Sequence, residues 1–306
     1  MAEIGQLPGV GEVFLDHLAH FVPDMEAAHR DLNELGFVQT PYTLHQHTVD
    51  GTADLVPSGT ANRCIMFGQG YVEIIAVSDA GTPLGQRTQQ QMERYVGLHL
   101  IAFSTRDIEG TQGRLTHAGF VPSPLVHLKR PVSMPDGSER EARFTCCRVR
   151  EDKMPEGRVQ FLTHQTEAEV WQDRWMNHGN AIVGLRDVII CVENLEQAVA
   201  RYCWFLDQGT PKRLSEHTWR VPVTRGGVVL VDEDGLEELL PGAKPPDLPF
   251  IAGYGLVSSD LARTRSFWTE RGLKPIDIGS EMLRLDLPDS LGGSILVSTP
   301  DLVLLD

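Results

Sequence analysis

The sequence has few of the features that identify a class of protein directly. Its five cysteines are odd in number and none follows the Cys-x-x-Cys spacing, which argues against a zinc ribbon and a disulfide framework. No run of about 18 apolar residues is available for a transmembrane helix. The first residues lack the basic and apolar regions of a secretory signal. We therefore expect a protein of the reducing cytoplasm with no membrane partner.

Catalytic signatures and positive charge are also scarce. The sequence contains no phosphate-binding loop, no GxSxG elbow and no dinucleotide-binding fingerprint. The 27 basic residues are outnumbered by 42 acidic ones, and the formal net charge is −15. Because no basic stripe is present to neutralise phosphates, we expect no nucleic-acid partner and instead a small-molecule substrate.

What the sequence does contain is a repeated pattern. Four segments read as an apolar strand followed by an amphipathic helix, and they start at Leu15, Leu98, Leu185 and Ala252. Each helix has a residue suited to cap its N-terminus: Asp24, Asp107, Asn194 and Asp260. Three of the helices end at a glycine 12 residues after the cap: Gly36, Gly119 and Gly272. The third helix lacks this glycine and is the irregular one.

Paired strand-like segments follow each helix, so each unit is predicted to be one strand, one helix and three strands. The predicted fold class is α+β, built from four tandem βαβββ modules that pair because one module cannot cover its own sheet. The 29 glycines and 19 prolines suit such a turn-rich fold. We place an N-terminal domain at 12–165, a helical linker with Trp171 and Trp175 at 166–180, and a C-terminal domain at 181–306.

The segments LDHLAHFVPDMEAA, ANRCIMFGQGYVEIIAV and WMNHGNA resemble the glyoxalase-like branch of the vicinal oxygen chelate superfamily. The resemblance spans nearly the whole chain. It implies that the modules form two paired, cupped mixed β-sheets, as in glyoxalase and extradiol dioxygenase folds. It also implies a metal ion held by the first and last strands of each module, and it suggests a homodimer. It is less specific for the reaction, because one scaffold supports many chemistries in this superfamily.

Applied to this sequence, the resemblance predicts metal ligands in the N-terminal domain only. The ligand positions fall on His17, Glu73, His99 and Gln160. Strand alternation places Glu73 on one face with Ile75 and Val77, where a lone carboxylate is costly unless it is paired or binds a cation. These donors suit one divalent Zn, Ni, Co, Mn or Fe ion. The corresponding C-terminal positions are mostly apolar: Asp187, Val229, Ala252 or Gly253, and Leu296.

The position of His99 depends on the register of its strand. Seven residues separate His17 from Asp24, but eight separate His99 from Asp107. We expect the extra residue to lie in the turn before Asp107, which keeps His99 at the ligand position. Strict register would place Leu100 there instead.

Three further histidines are candidates near the cup. His164 lies on the same strand face as Gln160 and is a candidate acid–base residue or a support for the ligands. His45 and His47 alternate in the segment after the first helix, so that both could line the substrate cavity.

Three functions are compatible with these residues. The first is a metal-dependent isomerase, epimerase or lyase that acts on a small oxygenated organic substrate through an enolate-like intermediate. The second is an Fe(II)-dependent extradiol-type dioxygenase that uses His17, Glu73 and His99. The third is a non-catalytic protein that sequesters a small molecule in the cup.

Overall fold

The computed structural model describes residues 5–48 and 55–302, with side chains at 5–46 and 56–302. The order strand, helix, three strands occurs four times along this part of the chain. The first unit contains β1 (Val13–Val22), α1 (Met25–Glu34), β2 (Thr43–Thr48), β3 (Leu55–Met66) and β4 (Tyr71–Val77). After α2 (Pro83–Arg94), the second contains β5 (Gly97–Thr105), α3 (Ile108–His117), β6 (Val126–Ser133), β7 (Glu139–Arg148) and β8 (Arg158–His164).

The second half of the chain follows the same order. After α4 (Glu167–Val170) and a 3-10 turn (Asp173–Trp175), the third unit contains β9 (Ile182–Cys191), α5 (Leu195–Leu206), β10 (Lys212–Arg213), β11 (Thr218–Pro222) and β12 (Gly227–Val231). After α6 (Glu233–Leu239), the fourth contains β13 (Phe250–Ser258), α7 (Leu261–Glu270), β14 (Ile276–Ile278), β15 (Met282–Asp286) and β16 (Ser294–Ser298). The predicted α+β fold class is confirmed. Among the described residues, none of these helices is long and apolar enough to cross a membrane.

The repeated helices begin and end as their sequences predict. The side chain of each cap residue accepts hydrogen bonds from backbone N–H groups of the first turn, as Asp24 does from Glu26 and Ala27. Gly36 follows α1 with a φ of +89°, a left-handed conformation that favours glycine. In α5 the left-handed residue is Asp207, with a φ of +51°, which explains how the third helix ends without a glycine.

The strands form one continuous sheet in which the first strands of the four units lie side by side. The central order is β9, β13, β5 and β1. β1 pairs antiparallel with β5, and β9 pairs antiparallel with β13. Strands β13 and β5 join the two halves through one pair, Ile251 with Leu98, and isolated bridges link Phe14 with Arg225 and Gln69 with Gly184. Within each unit the last strand runs parallel to the first, as β4 does beside β1.

The helices of the four units share one main hydrophobic core with one face of the sheet. The opposite face carries two separate clusters. We call the first the N-terminal cup, whose apolar part consists of Ala19, Phe21, Ile75, Leu100, Ala102, Cys146 and Leu162. We call the second the C-terminal cup, which includes Ile189, Val229, Phe250, Ala252 and Leu296 together with Leu236 of α6 and Leu240 directly after it.

Two helices lie outside the repeated pattern, and the sequence analysis missed both. α2 follows the first unit, and its Met92 packs against the N-terminal cup. α6 follows the third unit and packs into the C-terminal cup. The expected single linker helix is instead the short α4 and the 3-10 turn, between which Trp171 is buried.

Candidate active site

Glu73 lies on the floor of the N-terminal cup, as strand alternation predicts. Its neighbour two residues along, Ile75, belongs to the cup cluster, whereas Val72 and Ile74 face the helices. The side chain is buried, and its Oε1 accepts a hydrogen bond of 2.6 Å from the Asn62 amide. The His45 Nε2 is 3.3 Å from the same oxygen. Glu73 is therefore held by two neighbours from β2 and β3.

His45 lies opposite an irregularity of β3. Leu44 pairs with Ala61 and Gln46 with Pro57, so three residues of β3, 58–60, stand opposite the single residue His45. Such irregularities are common next to active sites. The His45 Nδ1 is 2.8 Å from the hydroxyl of buried Thr60. The ring is thus fixed at one nitrogen by Thr60 and directed at Glu73 by the other.

The surroundings of Glu73 stabilise its charged form. Burial raises the pKa of this carboxyl. The hydrogen bond and charge of His45, the charge of His17 and the amide of Asn62 together lower the pKa by more than burial raises it. The net result is a pKa of about 2. Glu73 is therefore ionised across the neutral range.

His17 belongs to a second imidazole–carboxylate cluster beside the first. Its Nδ1 is 2.8 Å from the Asp16 Oδ1, and its ring stacks on Tyr71 at 4.3 Å. The His164 Nε2 lies 3.1 Å from the Asp16 Oδ2. Asp16 is fully buried, and although burial raises its pKa, His164 and His17 hold it well below the usual range. Two imidazoles thus share one carboxylate, which leaves the His17 Nε2 free of Asp16.

The four predicted ligands are not all brought together. Gln160 shares its strand face with Leu162 of the cup, and its buried Oε1 has no hydrogen-bond partner in the described structure. In contrast, His99 is stacked on Tyr95 at 4.1 Å, and its Nε2 bonds to the Tyr95 carbonyl at 2.8 Å. Burial lowers the pKa of His99 to about 4, which favours a neutral ring.

The register shows that the second unit has no extra residue. The strands pair Glu73 with Ala19 and, in the second unit, Gln160 with Ala102. Counting back two residues on each first strand places Leu100, not His99, at the position of His17, seven residues before its cap as His17 is. His99 lies in a bulge between β1 and β5, at the position that Asp16 has in the first unit. The expected insertion in the turn before Asp107 is therefore wrong.

The predicted donors can form a three-residue metal site only if the Gln160 amide is one of them. Among the side chains at 5–46 and 56–302, no group of three or more His, Cys, Asp or Glu residues is placed to hold a metal ion. His17, Glu73 and Gln160 remain as candidate donors. Two observations favour them: the unpartnered Gln160 Oε1, and the fixing of His17 through its other nitrogen by a carboxylate, a common arrangement around metal-bound histidine.

Three residues of the site were missed by the sequence analysis. Asp16 contacts His17, Thr60 contacts His45, and Asn62 donates to Glu73. Asp16 directly precedes the predicted ligand His17, and Thr60 and Asn62 lie in a segment that the sequence predicts to be a strand. The signal was the alternation along β3, which places Asn62 on the same face as Thr60. Of the remaining candidates, His164 supports Asp16, and the side chain of His47 lies outside the described residues.

Comparisons with known proteins identify a matching family and solved structures with a similar fold. A family model described as a glyoxalase-like domain matches residues 15–206. No curated protein matches the chain. A hypothetical protein from Staphylococcus aureus is 13% identical with a TM-score of 0.64, over 94% of this chain and 99% of that one. A triple mutant of 4-hydroxymandelate synthase from Streptomyces coelicolor is 14% identical with a TM-score of 0.55, over 95% and 94% of the two chains.

A third structure has the same fold within a larger protein. It is a fusion of a xylose isomerase-like TIM barrel with 4-hydroxyphenylpyruvate dioxygenase, 10% identical with a TM-score of 0.59, over 98% of this chain and 51% of that one. At such identities the solved structures bear on the fold alone. The family model, however, covers more than half of the sequence. The chain belongs to the glyoxalase-like domain family.

Proposed function

We propose that this chain is an enzyme of the isomerase, epimerase or lyase type that moves a proton on a small oxygenated substrate in the N-terminal cup. The observation that carries this proposal is the contact between His45 and Glu73 on the cup face, beside the Asp16–His17 pair. Buried ionisable groups are costly and need a reason to be retained. Two oriented imidazole–carboxylate pairs within one cup supply the groups that proton transfer requires.

In this proposal His45 accepts the proton and Glu73 stabilises the imidazolium that results. Imidazole is the side chain most often used for proton transfer, and a fixed carboxylate beside it favours the protonated form. The substrate loses a C–H proton next to a carbonyl, forms an enolate-like intermediate and regains the proton at a different face or atom. Asn62 keeps Glu73 in place throughout, because its amide donates to the carboxylate.

Metal dependence is part of the proposal and rests on three donors. His17, Glu73 and Gln160 would hold a divalent Zn, Ni, Co, Mn or Fe ion, which would polarise a substrate oxygen as a Lewis acid. Asp16 would orient His17 for this role through Nδ1. Leu100 stands where the fourth donor would be.

The test is proton exchange with solvent. The purified chain is incubated in D₂O with a panel of hydroxyketones, 2-oxo acids and 2-hydroxy acids, and loss of the C–H signal is followed by NMR. We expect catalysed exchange with at least one compound, and a fall of about 10²- to 10⁴-fold in His45→Gln and Glu73→Gln. His217→Gln is the matched control, because His217 pairs with Asp232 at 2.9 Å away from the N-terminal cup.

The other two functions predict different results. Oxygen uptake on catechols that depends on iron would favour the dioxygenase. Tight binding without exchange or turnover would favour sequestration. Exchange that survives in both His45→Gln and Glu73→Gln would contradict the proposed function.

A further inference from the structure

Two arginines face the N-terminal cup from the strands opposite Glu73. Arg158 lies on β8 on the same face as Gln160 and Leu162, and its guanidinium is 5.3 Å from the ring centre of Phe21 in the cup. Arg148 pairs with Gln160 across β7 and β8 and shares its face with Cys146 of the cup. The proposed function uses neither residue.

Neither guanidinium has a direct ion pair within the described residues. The Arg148 Nε and the Arg158 Nη2 are buried without a hydrogen-bond partner. By contrast, Arg94 elsewhere on the surface is paired with Asp247 at 2.7 Å.

The C-terminal half shows how the same positions look when they serve structure alone. Arg284 pairs with Leu296 as Arg148 pairs with Gln160, so the two arginines are equivalent. Arg284 Nε is 2.8 Å from the Asp286 carboxylate, and its Nη1 donates to the Pro241 carbonyl at 2.8 Å. At the position of Arg158 the C-terminal half has Ser294. At these two positions, arginines without an ion pair therefore occur only in the half that holds Glu73.

The floor between the arginines and Glu73 is built from small residues. The two central strands contribute Ala19 beside Glu73 and Ala102 beside Gln160. A cavity of about 200 Å³ lies outside this floor, between α2 and the loop before β8, bounded by Gln91, Glu151 and Gly157 among others. Gly157 immediately precedes Arg158 in the chain.

We propose that Arg148 and Arg158 bind an oxyanion of the substrate, a carboxylate or a phosphate, and so orient the reacting carbon toward His45 and Glu73. Guanidinium groups match both oxyanions through paired N–H donors. An anion would also supply a partner for the buried Arg148 Nε and Arg158 Nη2. This inference names the substrate class of the proposed enzyme and rests on the proposed function for the position of the reacting carbon.

Binding of simple anions to the full chain tests this assignment apart from catalysis. Succinate, inorganic phosphate and neutral succinamide are titrated by calorimetry at one ionic strength. We expect succinate or phosphate to bind and succinamide not to bind. The tighter of the two anions identifies a carboxylate or a phosphorylated substrate. Arg148→Met and Arg158→Met should each weaken anion binding about 10- to 100-fold.

Two further variants separate this inference from the proposed function. Arg284→Met is the matched control and should leave anion affinity unchanged. Glu73→Gln should bind the anion as the wild type does while losing proton exchange. If Arg158→Met does not fold, Arg158→Lys keeps the charge without the paired donors and should lose a smaller part of the affinity. Equal binding of succinamide, or unchanged anion affinity in both methionine variants, would overturn the assignment.

Discussion

The two halves of the molecule use the same frame for two different cups. In the N-terminal half, Glu73 pairs with Ala19 across β4 and β1. In the C-terminal half the same pair is Val229 and Ile189, which are both buried in an apolar cluster. A carboxylate and a small residue have thus been replaced by two β-branched apolar residues. The shared fold does not require a polar residue at these positions. The carboxylate of the N-terminal cup therefore has a reason other than folding.

The helices that follow the first and third units, α2 and α6, also differ in what they bury. α6 places Leu236 and Leu240 in the C-terminal cup, where both are fully buried. α2 buries mainly polar or small residues, and its Met92 is only partly buried against the N-terminal cup. One cup is filled by its helix and stabilises the fold. Its buried carboxylate Asp187 forms an ion pair with Arg220 at 2.9 Å. The other cup is covered, and its buried carboxylates are paired with histidines, the residue type suited to proton transfer.

The largest expected effect concerns the filled cup. Leu236→Ala should lower the free energy of unfolding by about 2–5 kcal/mol, because it removes a fully buried side chain and leaves a cavity. Denaturant unfolding measures this loss. Proton exchange at the N-terminal cup should persist under folding conditions. A loss below about 1 kcal/mol would mean that α6 is not a structural plug.

The next effect tests the asymmetry of the metal donors. Glu73→Ala should reduce metal affinity at least about 100-fold, since it removes the only carboxylate among the three donors. Val229→Ala, at the equivalent position, should leave metal content unchanged. Elemental analysis of both purified variants and of the wild type gives the answer. Equal metal content in wild type and Glu73→Ala would place any bound metal elsewhere.

A smaller effect is expected from exchanging one residue between the cups. Asn62 pairs with Ile75 as Thr218 pairs with Val231, so Thr218 is its C-terminal equivalent. Asn62→Thr removes the amide that donates to Glu73 and should slow proton exchange about 10-fold, or about 1.4 kcal/mol. Asn33→Thr is the control, because Asn33 contacts His29 on the exposed face of α1. An unchanged exchange rate in Asn62→Thr would remove Asn62 from the site.

The fold could be predicted from the sequence because its signals are local. A cap such as Asp24 and a left-handed glycine such as Gly36 act within one helix, and their spacing recurs. The sequence analysis did not predict α2 and α6, because they lie outside the repeated spacing. Their own signals were present: Thr82 caps α2 ahead of Pro83, and Asp232 caps α6.

The site was harder to predict because it depends on register and on strand irregularities. The face of Glu73 followed from simple alternation and agrees with the structure. His99 did not follow, because it lies in a bulge one residue before the ligand position, and its ring bonds to the Tyr95 carbonyl. His45 lies opposite another irregularity, in β3. Sequence spacing does not reveal which residue of a strand is bulged.

The smallest expected effect concerns the cover of the N-terminal cup. Met92→Ala should lower the free energy of unfolding by about 1 kcal/mol or less, because Met92 is only partly buried against the N-terminal cup. The same denaturant measurement that shows a large loss for Leu236→Ala should therefore show a small one here. Anion affinity and proton exchange in Met92→Ala should stay within a few fold of the wild type, since no proposed polar contact is removed. If instead Met92→Ala destabilised the chain as much as Leu236→Ala, α2 would be a plug like α6, and the two cups would differ in their floors but not in their covers.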